Sequence, residues 1–491
     1  MTGPAADLTI RRARPYGGDP VDIVVRGGLI DRITGAGRAE AVGEVVDADG
    51  RWIGPGLWDA HVHFTQHVSR HRRVDLTGTA SAREVLDAAR AARSRGWPLQ
   101  GGFLVGYGFR DVLWPDQATL SDLDQAVADV PAVLISGDLH CGWLNSAAAA
   151  RLGVAVDRSG LLRETPWIDA LHLLDDQGST PLSAFAEAAE AAASRGVVGV
   201  VDFEKADNIA EWADRTAQGV TALRVVAAIW PDRLDRVISA GLRTGDTVDR
   251  SGLVSVGPLK VIVDGSLNTR TAWCWESYPG ADAADPLAAG VESVRIPDLR
   301  ALLARARAAG IEAAVHAIGD RANSEVLDVF AALRMRGVIE HAQLVREDDF
   351  ARFGQLGVVA SVQPEHAMDD RDAAEHHWAG RTGRAFAFGS LHRAGARLRL
   401  GSDAPVAPLD PWIAISAATA RSRDGRSPWH PEQRLPVDVA LAASARTTLQ
   451  TGQPADLVVV DRDPRASDGQ ELRTMPVSAT LLAGRFTWRD L

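Results

Sequence analysis

Two histidines one residue apart, His61 and His63, are the first residues whose types and spacing could do chemistry. They lie in the stretch DAHVH, at the end of an apolar run at 56–64 that is predicted to form a strand. Side chains alternate between the two faces of a strand, so residues i and i+2 point to the same side. Two adjacent imidazoles can begin a binding site for a divalent metal ion. An isolated pair could equally be two buried, hydrogen-bonded histidines, so the assignment depends on further ligands.

Three more candidate ligands follow similar apolar runs. His316 follows EAAV, His341 follows VIE, and Asp403 follows LGS. Taken singly, each could be structural: a lone histidine at a strand end, or an aspartate that begins a turn. Together with His61 and His63 they supply four imidazoles and one carboxylate. This donor set suits zinc or a similar first-row metal.

Only two of the 53 basic residues are lysines, Lys205 and Lys260. Lys260 lies in the middle of the run GPLKVIVDGS, where an ammonium among metal ligands would be costly and repelled. A lysine that has reacted with carbon dioxide carries an anionic carbamate, which could bridge two metal ions, whereas arginine cannot react in this way. Lys205, beside Glu204 at the end of another run, is the competing candidate. We favour Lys260 because it lies within its apolar run.

Each candidate ligand lies in or just after an apolar run of the sequence. There are eight such runs, at 56–64, 196–204, 222–230, 257–266, 312–320, 337–345, 358–366 and 398–406. Several are separated by amphipathic, helix-like segments, a pattern typical of an α/β protein whose parallel sheet is covered on both faces. Eight strands predict a (β/α)8 TIM barrel, in which functional residues gather at the carboxyl ends of the strands.

The two ends of the chain differ from this pattern. Residues 1–55 and the end of the segment 436–491 contain short strands separated by turn residues, which predicts one small β-sandwich domain formed by both termini. The metal-binding barrel is expected to span 56–435, and 436–491 to contain the barrel end and the rest of the sandwich. A large insertion after the first strand, at about 66–190, has its own predicted strands in GGFLVGYGF and PAVLISGDLH.

Composition excludes several classes of protein. The formal net charge of −11 argues against a nucleic-acid or anionic-membrane binder. There is no apolar run of about 18 residues and no apolar signal-peptide segment. Two cysteines, Cys141 and Cys274, cannot form a disulfide framework. We therefore expect a cytoplasmic protein with a small-molecule substrate and no membrane or nucleic-acid partner; a homodimer stays open.

The ordered motifs PGLWDAHVHF, LKVIVDGS, HAIGD, IEHAQ, SVQP and GSDAPV resemble the metal-dependent amidohydrolase superfamily. In addition, GYGFRDVLWPD, DLHCGWLNSAA and LKVIVDGSLNTRTA are similar to the YtcJ-like amidohydrolases, also called the amidohydrolase-3 family. The resemblance runs over nearly the whole chain. It implies a barrel with a composite β-sandwich domain, and a centre of one or two divalent metal ions, for which zinc is expected.

The resemblance also implies roles for the ligands. The first metal would be held by His61, His63 and Asp403, the second by His316 and His341, and both would be bridged by Lys260 as N6-carboxylysine together with a hydroxide. Related members hydrolyse C–N bonds other than peptide bonds, and N-substituted formamide deformylase is the best-defined type. The chain departs from the family in having Asp138-Leu139-His140 where Asp-Gly-His is usual, and in a shorter stretch before ADLVVVD.

The mechanism that follows is attack of a metal-bound hydroxide on a carbonyl carbon, with Asp403 carrying the proton to the leaving nitrogen. Candidate substrate contacts lie in the predicted loops: Trp143, Asn145, Arg270, Gln363 and His366. Arg270 could bind a substrate carboxylate through two hydrogen bonds or could be a surface arginine. His366 could be a ligand, a substrate contact or a solvated histidine of a polar loop.

Two other functions stay open. A deaminase or a lactonase-type hydrolase could use the same barrel, and a mononuclear deaminase would not need a bridging lysine, so metal stoichiometry separates these cases. A regulatory or binding protein that had lost catalysis could also keep the fold. A complete set of ligands argues against this last possibility.

Overall fold

The computed structural model describes residues 7–176, 180–282 and 284–491. Strands are numbered β1 to β21 and helices α1 to α17 in chain order. In the described part of the chain, no helix is both long enough and apolar enough to cross a membrane.

Strands from both ends of the chain form one mixed sheet. They are β1 (Leu8–Pro15), β2 (Val21–Arg26), β3 (Leu29–Gly35), β4 (Glu44–Asp47), β5 (Trp52–Pro55), β19 (Leu457–Val460), β20 (Val477–Leu482) and β21 (Arg485–Arg489). The strand order is β21-β20-β19-β5-β1-β2-β3, with β4 beside β1. The antiparallel pair of β5 and β19 joins the two termini. Buried Ile10, Ile23, Ile53, Val459 and Leu481 belong to its core. The predicted composite β domain is therefore present.

Eight parallel strands form the barrel. They are β6 (Leu57–Val62), β12 (Val197–Asp202), β13 (Arg224–Ile229), β14 (Val254–Ile262), β15 (Ala313–Ala317), β16 (Gly337–His341), β17 (Val359–Val362) and β18 (Arg397–Leu400). They are paired in this order from β6 to β18. The first and last strands meet through backbone hydrogen bonds from His63 N to Ala404 O (2.8 Å) and from Asp403 N to His61 O (2.7 Å). Each of the eight apolar runs forms one of these strands, which confirms the predicted barrel.

Helices alternate with the barrel strands along the chain or follow the last of them, and several pack against the strands. They are α6 (Leu182–Ala193), α7 (Asn208–Ala217), α8 (Leu234–Ser239), α9 (Ile296–Ala308), α10 (Asp320–Leu333), α11 (Glu347–Leu356), α12 (His366–Asp369), α13 (Arg371–His377), α14 (Phe388–Arg393), α15 (Pro411–Ala420), α16 (Val437–Ala443) and α17 (Gly469–Arg473). Helix α9 shows the pattern: it buries Leu299, Leu303 and Ala306, which recur along one helical face.

The segment between β6 and β12 forms a sheet of its own. Its strands are β7 (Val74–Asp75), β8 (Leu104–Phe109), β9 (Ala132–Ser136), β10 (Cys141–Leu144) and β11 (Leu161–Arg163). The accompanying helices are α1 (Phe64–Arg70), α2 (Ala82–Ser94), α3 (Leu120–Val127), α4 (Ser146–Leu152) and α5 (Glu164–Asp176). Helix α2 begins where Ser81 accepts a hydrogen bond from Glu84 N. The two predicted strands of the insertion correspond to β8 and β9.

A buried ion pair joins the terminal sheet to the barrel. Asp456, which directly precedes β19, accepts hydrogen bonds from Nε (2.7 Å) and Nη2 (3.1 Å) of Arg224 in β13. The same carboxylate accepts a hydrogen bond from Ala483 N at 2.8 Å. The Asp456 side chain is 2% exposed and that of Arg224 is 25% exposed. This carboxylate therefore fixes the position of the terminal sheet against the barrel.

We expect Asp456→Asn to lower the free energy of unfolding by about 2–3 kcal/mol. The variant leaves a guanidinium without its carboxylate; the loss stays below the ~3–5 kcal/mol of a fully buried pair because Arg224 is partly solvated. Chemical denaturation followed by circular dichroism measures the change. The control is Glu44→Gln, which breaks an exposed pair with Arg489 and should cost less than ~1 kcal/mol. Equal effects of the two substitutions would contradict this account.

Candidate metal centre

The six ligands predicted from the sequence line one cavity at the carboxyl ends of the barrel strands. His61, Lys260, His316 and His341 lie on β6, β14, β15 and β16, and His63 and Asp403 lie just beyond the ends of β6 and β18. The cavity together with the open space at its mouth contains about 650 Å³ that is not filled by protein atoms. The barrel thus brings together residues that are far apart in the sequence.

Asp403 lies at the centre of this group. Its Oδ1 is 3.4 Å from Nε2 of His63 and 3.5 Å from Nε2 of His61. A ligand atom from each of these three residues lies within 4.8 Å of the other two. Oδ1 is buried, and no described residue donates a hydrogen bond to it. A buried carboxylate oxygen without a donor, facing two imidazole nitrogens, fits a site for a divalent cation.

A second group of donors shares the same carboxylate. His341 Nδ1 is 4.0 Å from Oδ2 of Asp403, and His366 joins these two residues in a set whose ligand atoms also lie within 4.8 Å. Nε2 of His366 is buried and finds no hydrogen-bond partner within the described chain. The His316 ring lies 4.4 Å from the His341 ring, centroid to centroid. The predicted second pair is therefore adjacent, with His366 as a further nearby donor.

Lys260 is almost completely buried among these groups. Its Nζ lies 3.4 Å from Nε2 of His61 and 4.4 Å from the ring centroid of Phe203. Burial lowers the pKa of the Lys260 amine to about 8. Lys205 lies instead at the edge of the cavity, where its ammonium pairs with the exposed Asp169. Of the two lysines, only Lys260 has its amine among the histidines.

Burial also sets the protonation of the imidazoles. It lowers the pKa values of His61, His316 and His341 well below the usual value. These rings are therefore neutral at pH 7, which is the form that binds a metal. At His63 burial likewise disfavours the charged form, but interaction with the Asp403 carboxylate outweighs it and raises the pKa.

Two buried side chains form hydrogen bonds with ring nitrogens of the candidate ligand histidines. Oε2 of Glu340 lies 2.7 Å from Nδ1 of His61, and Oε1 of Gln363 lies 2.9 Å from Nδ1 of His341. A carboxylate that accepts the Nδ1 proton of His61 leaves Nε2 free to bind a metal. Sequence reasoning missed Glu340; its signal was an acidic residue inside the apolar strand GVIEH. Gln363, expected to contact substrate, here contacts His341.

The insertion contributes a charged histidine to the cavity. Nδ1 of His140 lies 2.8 Å from Oε2 of Glu164, and the His140 ring is 5.4 Å from that of His316. Although burial disfavours its charged form, the Glu164 carboxylate raises the pKa of His140 to about 9. Thr269 and Thr271, from the loop after β14, each donate a hydrogen bond of 2.5 Å to Oε1 of Glu164. Hydrogen bonds therefore hold the insertion over the barrel mouth, and its protonated His140 faces the cavity.

Three expected substrate contacts lie elsewhere. Trp143 is buried in the core of the insertion, with its ring 6.2 Å from that of Trp114. Asn145 caps α4, since its side chain accepts a hydrogen bond from Ala148 N at 2.9 Å. Arg270 is exposed and is not among the residues that line the cavity. Packing and helix capping account for the positions of the first two residues, and none of the three lines the cavity described here.

The remaining cavity walls divide by polarity. The apolar part consists of Leu139, Ile168, Leu171, Trp230 and Ile262. The polar part consists of Gln66, Asp138, His140, His172, Asp175, Glu204 and Lys205. The site can therefore hold a molecule with one apolar region beside the metal ligands.

These features coincide with a known family. A model of the amidohydrolase family matches residues 44–488, and the chain therefore belongs to the amidohydrolase family. It is 27% identical to the protein YtcJ of Bacillus subtilis (strain 168), over 91% of this chain and 90% of that protein. It is 26% identical to the N-substituted formamide deformylase of Arthrobacter pascens, over 94% of each chain. The resemblance inferred from the motifs is thus confirmed.

A solved structure shares the fold. An uncharacterized metal-dependent hydrolase from Pyrococcus horikoshii OT3 superposes with a TM-score of 0.76, at 24% sequence identity, over 95% of this chain and 99% of that one. The predicted fold class is therefore confirmed along nearly the entire chain.

The Glu340–His61 contact makes a prediction about metal binding. Glu340→Gln keeps the shape of the side chain but weakens its hold on the Nδ1 proton of His61. We expect zinc affinity to fall about 10–100-fold, the usual effect of losing such a partner. Titration against a chelator of known affinity measures this directly. The control is Asp320→Asn, a buried carboxyl paired with Arg384 outside the cavity; it should leave zinc affinity unchanged. Wild-type affinity in Glu340→Gln would contradict the assigned role.

Proposed function

We propose that the protein is a zinc-dependent hydrolase that cleaves amide-type C–N bonds other than peptide bonds. The observation that carries this proposal is the convergence of four imidazoles, one carboxylate and one buried lysine in a single cavity. The similarity to a formamide deformylase along 94% of both chains supports the type of bond. The substrate would be a small molecule, since the reacting groups lie inside a closed barrel mouth.

The donor atoms suggest how the ions are held. His61, His63 and Asp403 would hold the first, and His316 and His341 the second, with Lys260 as N6-carboxylysine between them. A bound zinc ion supplies Lewis acidity, which makes hydroxide available at neutral pH and polarises a carbonyl group. The carbamate is supported by the burial of Lys260 and by the position of its Nζ beside His61.

Asp403 would move the proton. Its carboxylate accepts the proton of a water molecule as the water oxygen attacks the carbonyl carbon. Asp403 then delivers this proton to the leaving nitrogen as the C–N bond breaks, so that an amine leaves rather than an amide anion. Because Oδ1 faces His61 and His63 and is assigned to the first ion, Oδ2 is the oxygen left for this role. The products are a carboxylic acid and an amine.

His140, which belongs to the insertion, would bind the substrate from the side of the cavity that faces the barrel ligands. Its imidazolium, held by Glu164, is positioned to donate a hydrogen bond to an oxygen of the substrate as negative charge develops there. The insertion that carries His140 also covers the barrel mouth and reduces the access of water to the reacting groups.

The test is turnover on a panel of N-formyl and N-acyl amines, with cyclic lactones and aminopurines in parallel. We expect the zinc-loaded protein to release amines from members of the first group, and the chelated protein to do so only after zinc is restored. Turnover restricted to lactones or aminopurines would favour the other hydrolase classes. If the zinc-loaded protein turns over none of these compounds, a binding or regulatory role would be favoured.

Asp403→Asn tests the proton transfer. We expect turnover to fall at least about 100-fold, the usual contribution of a general acid–base group. The metal content is expected to fall less, because His61 and His63 are intact. Initial rates and elemental analysis of the same preparation separate the two effects. Near-normal turnover in this variant would show that another residue transfers the proton to the leaving nitrogen.

Lys260→Arg tests the carbamate. Arginine keeps the positive charge but cannot take up carbon dioxide, so the variant should lose metal and activity together. Lys260→Ala should be inactive as well, and added short carboxylates with excess zinc should partly restore it. The matched control is Lys205→Arg, which should keep its full metal content. A full zinc complement in Lys260→Arg would contradict the bridging role.

A further inference from the structure

Leu139 has an unusual backbone conformation in the loop beside the candidate metal centre. Its φ of 64° lies in the left-handed region, which disfavours residues with a side chain. The neighbouring residues Asp138 and His140 both line the cavity. Strained residues that persist at such a position are often retained for a function of the site.

The surroundings of Leu139 hold this conformation in place. Leu139 N donates to Ser136 O at 3.2 Å, which closes a turn, and Leu139 O accepts a hydrogen bond from Trp167 Nε1 at 2.9 Å. Asp138 accepts hydrogen bonds from His140 N in the same loop and from Ser266 in the loop after β14. The turn is therefore held on both sides by hydrogen bonds.

Leu139 is part of the cavity wall. Leu139 as a whole residue is 9% exposed, and it belongs to the same apolar cluster as Leu171 of helix α5. Both residues line the cavity, together with Ile168, Trp230 and Ile262. Ile262 is paired in register with His316, so this wall begins directly beside the metal ligands. We call these five residues the apolar wall.

We propose that Leu139 determines the size of substrate that the cavity accepts, by filling the part of the apolar wall nearest the insertion loop. The inference rests on the proposed amide hydrolysis and adds a substrate class to it. The preferred substrates are amides with a compact aliphatic group, because the five residues of the apolar wall offer such a group apolar contacts. A bulky ring would need the volume that the leucine occupies.

The experiment compares large and small substrates in variants at two matched positions. The first series pairs N-cyclohexylformamide with N-methylformamide, and the second pairs N-methylcyclohexanecarboxamide with N-methylacetamide. In Leu139→Ala the ratio of kcat/KM for the large substrate to that for the small one should rise at least ~10-fold in one series, which is the order of effect of removing methylene groups from a pocket. Leu139→Gly should show the same rise. Because glycine adopts the left-handed conformation without strain, this variant tests the same point if Leu139→Ala folds poorly.

Leu162→Ala is the matched control. Leu162 is also 9% exposed and belongs to the same cluster, but it is not among the cavity-lining residues. Its truncation should lower thermal stability and leave both substrate ratios within ~2-fold of the wild type. Unchanged ratios in folded, active Leu139 variants, or an equal rise in Leu162→Ala, would overturn the assignment.

Binding of cyclohexanol separates this inference from the proposed reaction. If no protein turns over any amide, the proposed function fails, but the cavity can still be measured by calorimetry. Zinc-loaded Leu139→Gly should then bind cyclohexanol at least ~10-fold more tightly than the wild type and Leu162→Ala. Equal binding by all three proteins would overturn the role of Leu139 independently of the reaction.

Discussion

The candidate site depends on the closure of the barrel between its first and last strands. Asp59 Oδ1 accepts hydrogen bonds from His61 N and from Ser402 N, 343 residues further along the chain. Together with the hydrogen bonds that link His61 and His63 to residues 403 and 404, this fixes two backbone segments side by side. A Cβ at Gly401 would lie 2.7 Å from His61 N, so only glycine allows this approach. Asp403 can face both histidines because the backbones are this close.

Burying so many polar groups requires partners for each of them. Burial makes imidazoles neutral and raises the cost of any unpaired charge. In the barrel, two of the histidines have buried hydrogen-bond partners: Glu340 contacts His61, and Gln363 contacts His341. Oδ1 of Asp403 and Nε2 of His366 are among the buried atoms that have no hydrogen-bond partner in the described chain, and both residues belong to the two donor sets described above. Their lack of partners marks where a cation would be bound.

The insertion converts an open barrel mouth into a cavity with two different walls. Its charged His140 is held by Glu164, which in turn is fastened to Thr269 and Thr271 of the barrel loop. Its helix α5 supplies Ile168 and Leu171 to the apolar side. In TIM-barrel enzymes the active site lies at the carboxyl ends of the strands, and in this chain the insertion contributes residues to both the charged and the apolar part of the cavity there.

The sequence by itself determined the barrel, the terminal sheet and the candidate ligands. Strand and helix periodicity are local properties, and His61, Lys260, His316, His341 and Asp403 could be recognised because each stands in or after an apolar run. The family similarity then supported their grouping. These features depend on residue type and spacing, which can be read along the chain.

Which polar side chains contact each other could be seen only in the tertiary structure. Glu340 stands inside the apolar strand GVIEH and His140 in the Asp138-Leu139-His140 stretch, but spacing along the chain does not show what either one contacts. The fold places Glu340 beside His61 and His140 across from His316. Trp143 and Asn145 stood in a motif of the insertion, but packing and helix capping turned them away from the cavity. Side-chain direction in a loop or an inserted sheet is set by contacts between distant segments, and such contacts have no signature in the spacing of residues along one chain.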